Sequence, residues 1–302
     1  YLEARTLRQA ISLLERHGNE ARLVAGSTDF LVRWRQGVWQ PKYVVNVGNI
    51  ASLGRISYSH RSGLRLGALA RVGDLVDHPQ VRGSYPALSA AAASFAGVQV
   101  RNLATVGGNV CNASPAGDTL PALLAFDAQC KISGPDGDRS IPLNEFFTGP
   151  GQTVLKTGEI LTELRLAPPL PNTGSLYIKH SPRGAMDIAT LGVASVITLE
   201  DSSLVCRNVR IGLGAVAPTP IRASSAERLL WGREVTPKLI ESAAQAAKGD
   251  VKAIDDVRGS AEHRQEMVGV LTQRTLERSW DMAKGNPMSF ERQRELAVQA
   301  AF

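Results

Sequence analysis

Apolar residues Leu7, Ala10, Ile11 and Leu14 recur on one face of a 3.6-residue repeat, so TLRQAISLLERHG predicts an amphipathic helix. Thr6 with Gln9 three residues on forms a capping box, and Gly18 supplies the stop. ARLVAG reads as a short apolar strand. STDFLVRWRQG predicts a helix capped by Ser27 or Thr28 and closed by Gly37, and KYVVNV is the next strand. The first fifty residues thus alternate strand and helix, a small α/β unit. LGRISYS and GLRLGALA then form two strands split by HRSG. Helical patterns follow at RVGDLVDHPQV and PALSAAAASFA. The small-residue stretch RNLATVGGNVCNASPAGD, Arg101 to Asp118, reads as a loop, and TLPALLAFDA as a helix beginning near Asp118. A hairpin is expected around Pro135, Asp136 and Gly137. APPLPNTG, with three prolines and a glycine, marks a boundary. Beyond it come strands at LYIKHS, IATLGVASVITLE and CRNVRIGLGAVA, then helices at SSAERLLWG, PKLIESAAQAAK and AEHRQEMVGVLTQRTLERSW. The polar segment after Trp280 reads as an extended or disordered tail, or as a docking segment. The resulting division is 1–55, 56–170, 175–280 and a tail at 281–302.

Composition narrows the function classes. The 302-residue chain is 43% apolar and 21% charged, ordinary for a globular protein. No apolar run approaches the roughly 20 residues of a membrane span, and no secretory signal is visible. The three cysteines, Cys111, Cys130 and Cys206, are far apart and form no C-x-x-C. That argues against a disulfide framework, a zinc site or an iron–sulfur cluster in this chain, and a reducing cytoplasm is expected. The net charge of +6 raises nucleic acid as a partner. Against it, basic residues interleave with acids, and aromatics are only 5%, too few for stacking platforms.

Two stretches carry candidate chemistry. In LVAGSTDF, Leu23 to Phe30, a strand leads through Gly26 and two hydroxyls into a helix. TVGGN, Thr105 to Asn109, holds Gly107 and Gly108 together. Glycines permit close backbone approach, and successive N–H groups in such turns form anion-binding nests. Each loop alone is ordinary; two of one kind suggest a diphosphate gripped from both sides. The common dinucleotide fingerprint G-x-G-x-x-G after a strand and the P-loop pattern G-x-x-x-x-G-K-[ST] are both missing. A flavin fold of another type is therefore indicated.

LVAGSTDF, FAGVQVRNLATVGGNVCNASPAGD, GEIL, IKHSPRGAMDIATLGVA and LGAVAPTPIRA with DVRGSAEHR resemble the FAD-binding medium subunit of the molybdenum hydroxylases. That family includes carbon monoxide dehydrogenase, 4-hydroxybenzoyl-CoA reductase and the bacterial quinoline, nicotine and xanthine dehydrogenases. The likeness runs in one register over residues 1–280. It implies an α+β chain: a p-cresol methylhydroxylase-type FAD-binding fold of two α/β subdomains, then a C-terminal α+β domain. It also implies that Leu23, Val24, Ala25, Gly26, Ser27, Thr28, Asp29 and Phe30 line the FAD diphosphate. Phe95 would lie against the flavin or adenine. Thr105, Val106, Gly107, Gly108 and Asn109 would form the second phosphate loop. Asp118 would bind the ribose region and Leu161 would touch the cofactor. Lys179 would stand near the isoalloxazine, with Asp187 and Ile188 close to the ring. By residue type alone, Asp118 also reads as a helix cap, Phe95 as core, Lys179 as a solvated strand residue and Cys111 as a small buried thiol.

Two departures from the family stand out. Ser27 occupies a position that is often glycine, which Gly26 is expected to offset by taking the tight conformation. The cysteine-rich insertion of the benzoyl-CoA reductase branch is missing, so the carbon monoxide dehydrogenase type is the better likeness. No histidine lies in a glycine loop, so FAD is expected to bind non-covalently. The resemblance implies an electron-transfer subunit. Its partners would be a large molybdopterin-binding subunit and a small subunit with [2Fe-2S] clusters, in a dimer of heterotrimers. A self-contained FAD-dependent oxidase or dehydrogenase of the same fold is the nearest rival. A non-catalytic nucleotide- or nucleic-acid-binding module is the other.

Overall fold

The structure, a computed structural model, describes residues 1–184 and 186–300, with backbone alone at 298–300. The end of the expected tail, 301–302, lies outside the described residues.

The first unit contains β1 (Leu2–Glu3), α1 (Leu7–His17), β2 (Ala21–Val24), α2 (Phe30–Arg35) and β3 (Tyr43–Asn46). Its sheet is parallel, in the order β1-β3-β2, which leaves β2 at an edge. The Thr6 hydroxyl accepts from the Gln9 N–H at 3.1 Å. The reverse arm of the capping box closes on the neighbouring Arg5 N–H instead, at 2.9 Å from Gln9 Oε1.

The second unit contains β4 (Ile56–Ser59), β5 (Gly63–Gly67) and six helices: α3 (Val72–Asp77), α4 (Pro79–Ser84), α5 (Pro86–Ser94), α6 (Val98–Arg101), α7 (Val106–Asn112) and α8 (Thr119–Ala125). It continues through β6 (Gln129–Gly134), β7 (Gly137–Pro142), the small hairpin β8 (Phe147–Gly149) with β9 (Gln152–Thr153), and β10 (Ile160–Leu166). The main sheet is antiparallel, ordered β4-β5-β10-β6-β7. Helix α5 is buried nearly all round, which is why PALSAAAAS is alanine-rich rather than amphipathic.

The third unit contains β11 (Thr173–Ser181), β12 (Leu191–Leu199), β13 (Cys206–Gly214), β14 (Ile221–Arg222), α9 (Ser224–Leu230), α10 (Pro237–Ala247), α11 (Ala261–Ala283), α12 (Phe290–Ala297) and β15 (Val298–Ala300). Its sheet runs β14-β13-β12-β11-β15. One face packs on α9–α11, while Tyr177, Ala194 and Val196 on the other join the core around α5 and α8. That double burial makes every residue of β12 buried.

Residues 281–300 are not the extended tail expected from their polarity. Helix α11 runs on to Ala283, Phe290 packs against the α5–α8 core, and Ala297 is fully buried. β15 then pairs in parallel with Lys179–Ser181 of β11. Scattered apolar residues, too few to give a periodic signal, anchor the segment.

Candidate functional site

A cavity of about 700 Å3 opens between the first and second units. Its walls are the loop after β2, the first turn of α7, and the strip leading into β10.

The first wall is built by close approach. A Cβ on Gly26 would stand 1.9 Å from the Leu103 carbonyl oxygen, so only glycine fits. Ser27, not Gly26, takes the left-handed conformation, with φ of 60°. This corrects the expectation that Gly26 would absorb the tight turn. The Ser27 hydroxyl donates to the Ala25 carbonyl at 3.2 Å. Neither Ser27 nor Thr28 caps α2; Asp29 precedes the helix, and its side chain makes no capping bond. Among the described residues, the N–H groups of Gly26, Ser27, Thr28 and Asp29 have no acceptor. Four consecutive donors facing a cavity need an anion or water to satisfy them.

The second wall differs from its sequence reading. Thr105–Asn109 is not an open nest but the N-terminus of α7, with Thr105 as its cap. The N–H groups of Val106 and Gly107 donate to Ala70 and Ala68 carbonyls, both at 2.9 Å. The Gly108 N–H is taken by the Thr105 hydroxyl at 3.1 Å, and that of Asn109 by the Thr105 carbonyl at 2.9 Å. The two glycines also separate in role. A Cβ on Gly107 would lie 2.6 Å from the Ala68 Cβ, so this glycine lets α7 pack on the turn after β5. Gly108 is exposed, and a Cβ there would meet only the Thr105 side chain, at 2.8 Å. Val106 is core and does not line the cavity.

The third wall extends beyond Leu161, the residue expected there. It runs from Leu155 through Lys156, Thr157, Gly158, Glu159 and Ile160. Both Glu159 carboxylate oxygens bind Arg139, each at 2.7 Å, and one accepts the Lys156 N–H at 2.8 Å. The hydrogen bonds from Arg139 hold the Glu159 pKa down to about 2, which keeps the turn ionised and fixed. Arg139 sits on a different strand, so no local pattern revealed this anchor. Arg22 and Trp39 also line the cavity without any local pattern to mark them, with the guanidinium 3.7 Å above the indole.

Phe95 lines the cavity, while Asp118, Lys179, Asp187 and Ile188 lie outside the lining. Three of these four nevertheless meet. The Lys179 ammonium, on a side chain only 2% exposed, is 3.0 Å from Asp118 Oδ2. It also donates to the carbonyls of Asp187 at 2.7 Å and Ser94 at 3.2 Å. Ser94 precedes Phe95, so the cluster is tied to the segment that carries this lining residue. Lys179 is thus not a solvated strand residue, and Asp118 does not cap α8 through its side chain. Burial pushes the Asp118 carboxyl up to about 6, with Lys179 pulling the other way. Asp187 turns its carboxylate to Arg183, and Ile188 is exposed.

The donors and the volume fit FAD. A dinucleotide needs anion donors between two apolar ends, and pockets of roughly 300–1,000 Å3 hold ligands of this class. None of the five histidines and only one cysteine, Cys111, lines the cavity, and burial pushes the Cys111 thiol up to about 12.

Residues 1–169 match the family model for the FAD binding domain in molybdopterin dehydrogenase, and residues 177–279 match the CO dehydrogenase flavoprotein C-terminal domain. The putative xanthine dehydrogenase FAD-binding subunit XdhB of Escherichia coli (strain K12) is 34% identical over 286 residues, covering 94% of this chain and 97% of the relative. The carbon monoxide dehydrogenase medium chain of Hydrogenophaga pseudoflava is 31% identical, covering 93% and 96%. Among solved structures, carbon monoxide dehydrogenase from Hydrogenophaga pseudoflava, in a form lacking the Mo-pyranopterin moiety of its molybdenum cofactor, superposes with a TM-score of 0.88. Its identity is 31%, and the match covers 93% of this chain and 96% of that one. Quinoline 2-oxidoreductase from Pseudomonas putida 86 gives a TM-score of 0.85 at 25% identity, covering 95% and 97%.

Proposed function

The chain belongs to the FAD-binding medium subunits of the molybdenum hydroxylases, and we propose that it carries electrons from iron–sulfur clusters of a partner subunit to an external acceptor. FAD, when bound, supplies one- and two-electron transfer; the protein supplies binding, orientation and tuning. In this reading the N–H groups of Gly26 to Asp29 hold the diphosphate, with Leu23, Val24, Ala25 and Phe30 shaping the same wall. Gly108 gives the opposite side its clearance beside Thr105 and Asn109, Gly107 seats the helix against Ala68, and Val106 packs behind them. Phe95 and Leu161 contact the cofactor. Lys179, held by Asp118 and Asp187, places a buried cation beside the isoalloxazine end, and Ile188 borders that end. FAD is bound non-covalently.

The observation that carries the reading is the row of four N–H groups without acceptors among the described residues, set in a cavity whose walls come from both halves of the FAD-binding region. Three scattered cysteines are too few for a cluster ligated by four, so the clusters are assigned to a small [2Fe-2S] subunit and substrate chemistry to a large molybdopterin subunit. A cytoplasmic dimer of such heterotrimers completes the proposal. Among the described residues, no helix is long and apolar enough to cross a membrane.

Mild isolation of the native protein tests this. The expected preparation contains two further polypeptides, molybdenum, iron, and FAD that acid precipitation releases completely. A single chain that oxidises an organic substrate with FAD alone would overturn it, as would flavin retained in the acid pellet for the non-covalent mode.

A further inference from the structure

We propose that Arg101 is a positioning residue for the cofactor, stapling the turn that holds Phe95 in the cavity wall. The proposal rests on the FAD reading above and adds a role for a side chain outside the cavity lining.

Between α5 and α6 the chain reverses over Phe95, Ala96 and Gly97. Ala96 stands at φ 39°, a left-handed conformation that an L residue with a Cβ adopts at a cost. The turn also crowds its carbonyl groups on its inner side. Arg101 Nη1 donates to the carbonyls of Ala93, Phe95 and Ala96, at 3.0, 2.9 and 3.0 Å. The carbonyl that Arg101 omits, Ser94, is taken by the Lys179 ammonium at 3.2 Å. Four consecutive carbonyls around Phe95 are therefore claimed by two cationic side chains, one from α6 and one from β11. Charge-assisted hydrogen bonds of this kind are stronger than neutral ones. Glycine at position 96 would relax the turn without help; alanine there leaves the conformation dependent on the guanidinium.

Arg101 also ends α6, from which the chain runs directly into Leu103 and the Thr105 cap. Leu103 presents its carbonyl to Gly26. One guanidinium thereby ties Phe95 to the segment that carries the second wall and touches the first at Gly26. Its effect on FAD is indirect, through the position of Phe95.

The test uses the full chain and FAD titration, read by flavin fluorescence and by visible circular dichroism of the bound flavin. Arg101→Gln should weaken FAD binding about tenfold or more and alter the dichroism. Adding Ala96→Gly should restore affinity to within about threefold of the original and return the dichroism, because glycine accepts the turn unaided. In a Phe95→Ala background, Arg101→Gln should add little, since the residue it positions is gone. Unchanged FAD binding by Arg101→Gln overturns the inference. So does a double variant with Ala96→Gly no better than Arg101→Gln alone, and this comparison decides the matter if the single variant is too unstable to purify. An unaltered chain that binds no FAD overturns the FAD reading itself, a result distinct from either.

Discussion

Among the described residues, the four N–H groups of Gly26 to Asp29 have no protein acceptor, whereas every N–H from Val106 to Asn109 is already bonded within the protein. The two walls face the same cavity and share a glycine-and-hydroxyl appearance, yet they serve it differently. The first is a donor set, made available because Ser27 at φ 60° turns the backbone out of both strand and helix. The second is a surface of low relief, where the absence of a side chain at Gly108 leaves room. Negative charge on a ligand is therefore met chiefly from one side. The comparison teaches that glycine in such a loop has two separate physical uses: Gly26 and Gly107 permit protein to touch protein, and Gly108 leaves open space on the cavity side.

That division can be broken most forcefully at the protein–protein glycines. Gly26→Ala and Gly107→Ala place a Cβ against fixed neighbours, the Leu103 carbonyl and Ala68. Each should lower unfolding stability by about 3 kcal/mol or more in urea denaturation of the FAD-free chain. Normal stability in either variant would mean that its wall is free to move apart. Gly108→Ala should behave in the opposite sense. FAD affinity should fall about tenfold, while FAD-free stability changes by about 1 kcal/mol or less, since only the Thr105 side chain must yield. Equal losses in both measurements would erase the distinction between Gly107 and Gly108.

Thr105→Ala removes the cap of α7 and leaves the Gly108 N–H without its acceptor. It should cost about 1 kcal/mol, read from the shift in denaturation midpoint at constant slope. No shift would show that the second wall does not depend on its internal bonds. The smallest effect is expected at Ser27→Gly, which relieves the left-handed backbone. It should stabilise the chain by up to about 1 kcal/mol with FAD binding retained. A clear loss of binding would instead give the Ser27 hydroxyl a direct part in holding the cofactor.

Much of the cavity was legible in local patterns. All eight residues from Leu23 to Phe30 line it, as do Phe95, Gly107, Gly108 and Leu161. Glycines and hydroxyls at the end of a strand announce themselves, because the backbone conformation they permit is set by the residues themselves. The partners of Glu159 and Arg101 were not legible. Glu159 depends on Arg139 across a hairpin, and Arg101 on carbonyls beyond a helix end. Polarity misled at the C-terminus, where a few buried contacts by Phe290 and Ala297 fix a mostly polar segment.

The sequence by itself determined most of the helices and strands, though not α7, α12 or β15, together with the glycines that allow close approach and the family likeness that runs through both halves. These follow from periodicity, from φ preferences and from the size of a side chain, all properties of a residue and its near neighbours. Only the tertiary structure decided which N–H groups stay free, because that depends on which distant carbonyls arrive beside them. It alone buried Lys179 against Asp118, chain positions 61 apart, and shifted the carboxyl accordingly. Solvation and pairing of charge are set by what surrounds a group in space, and chain neighbours do not specify those surroundings.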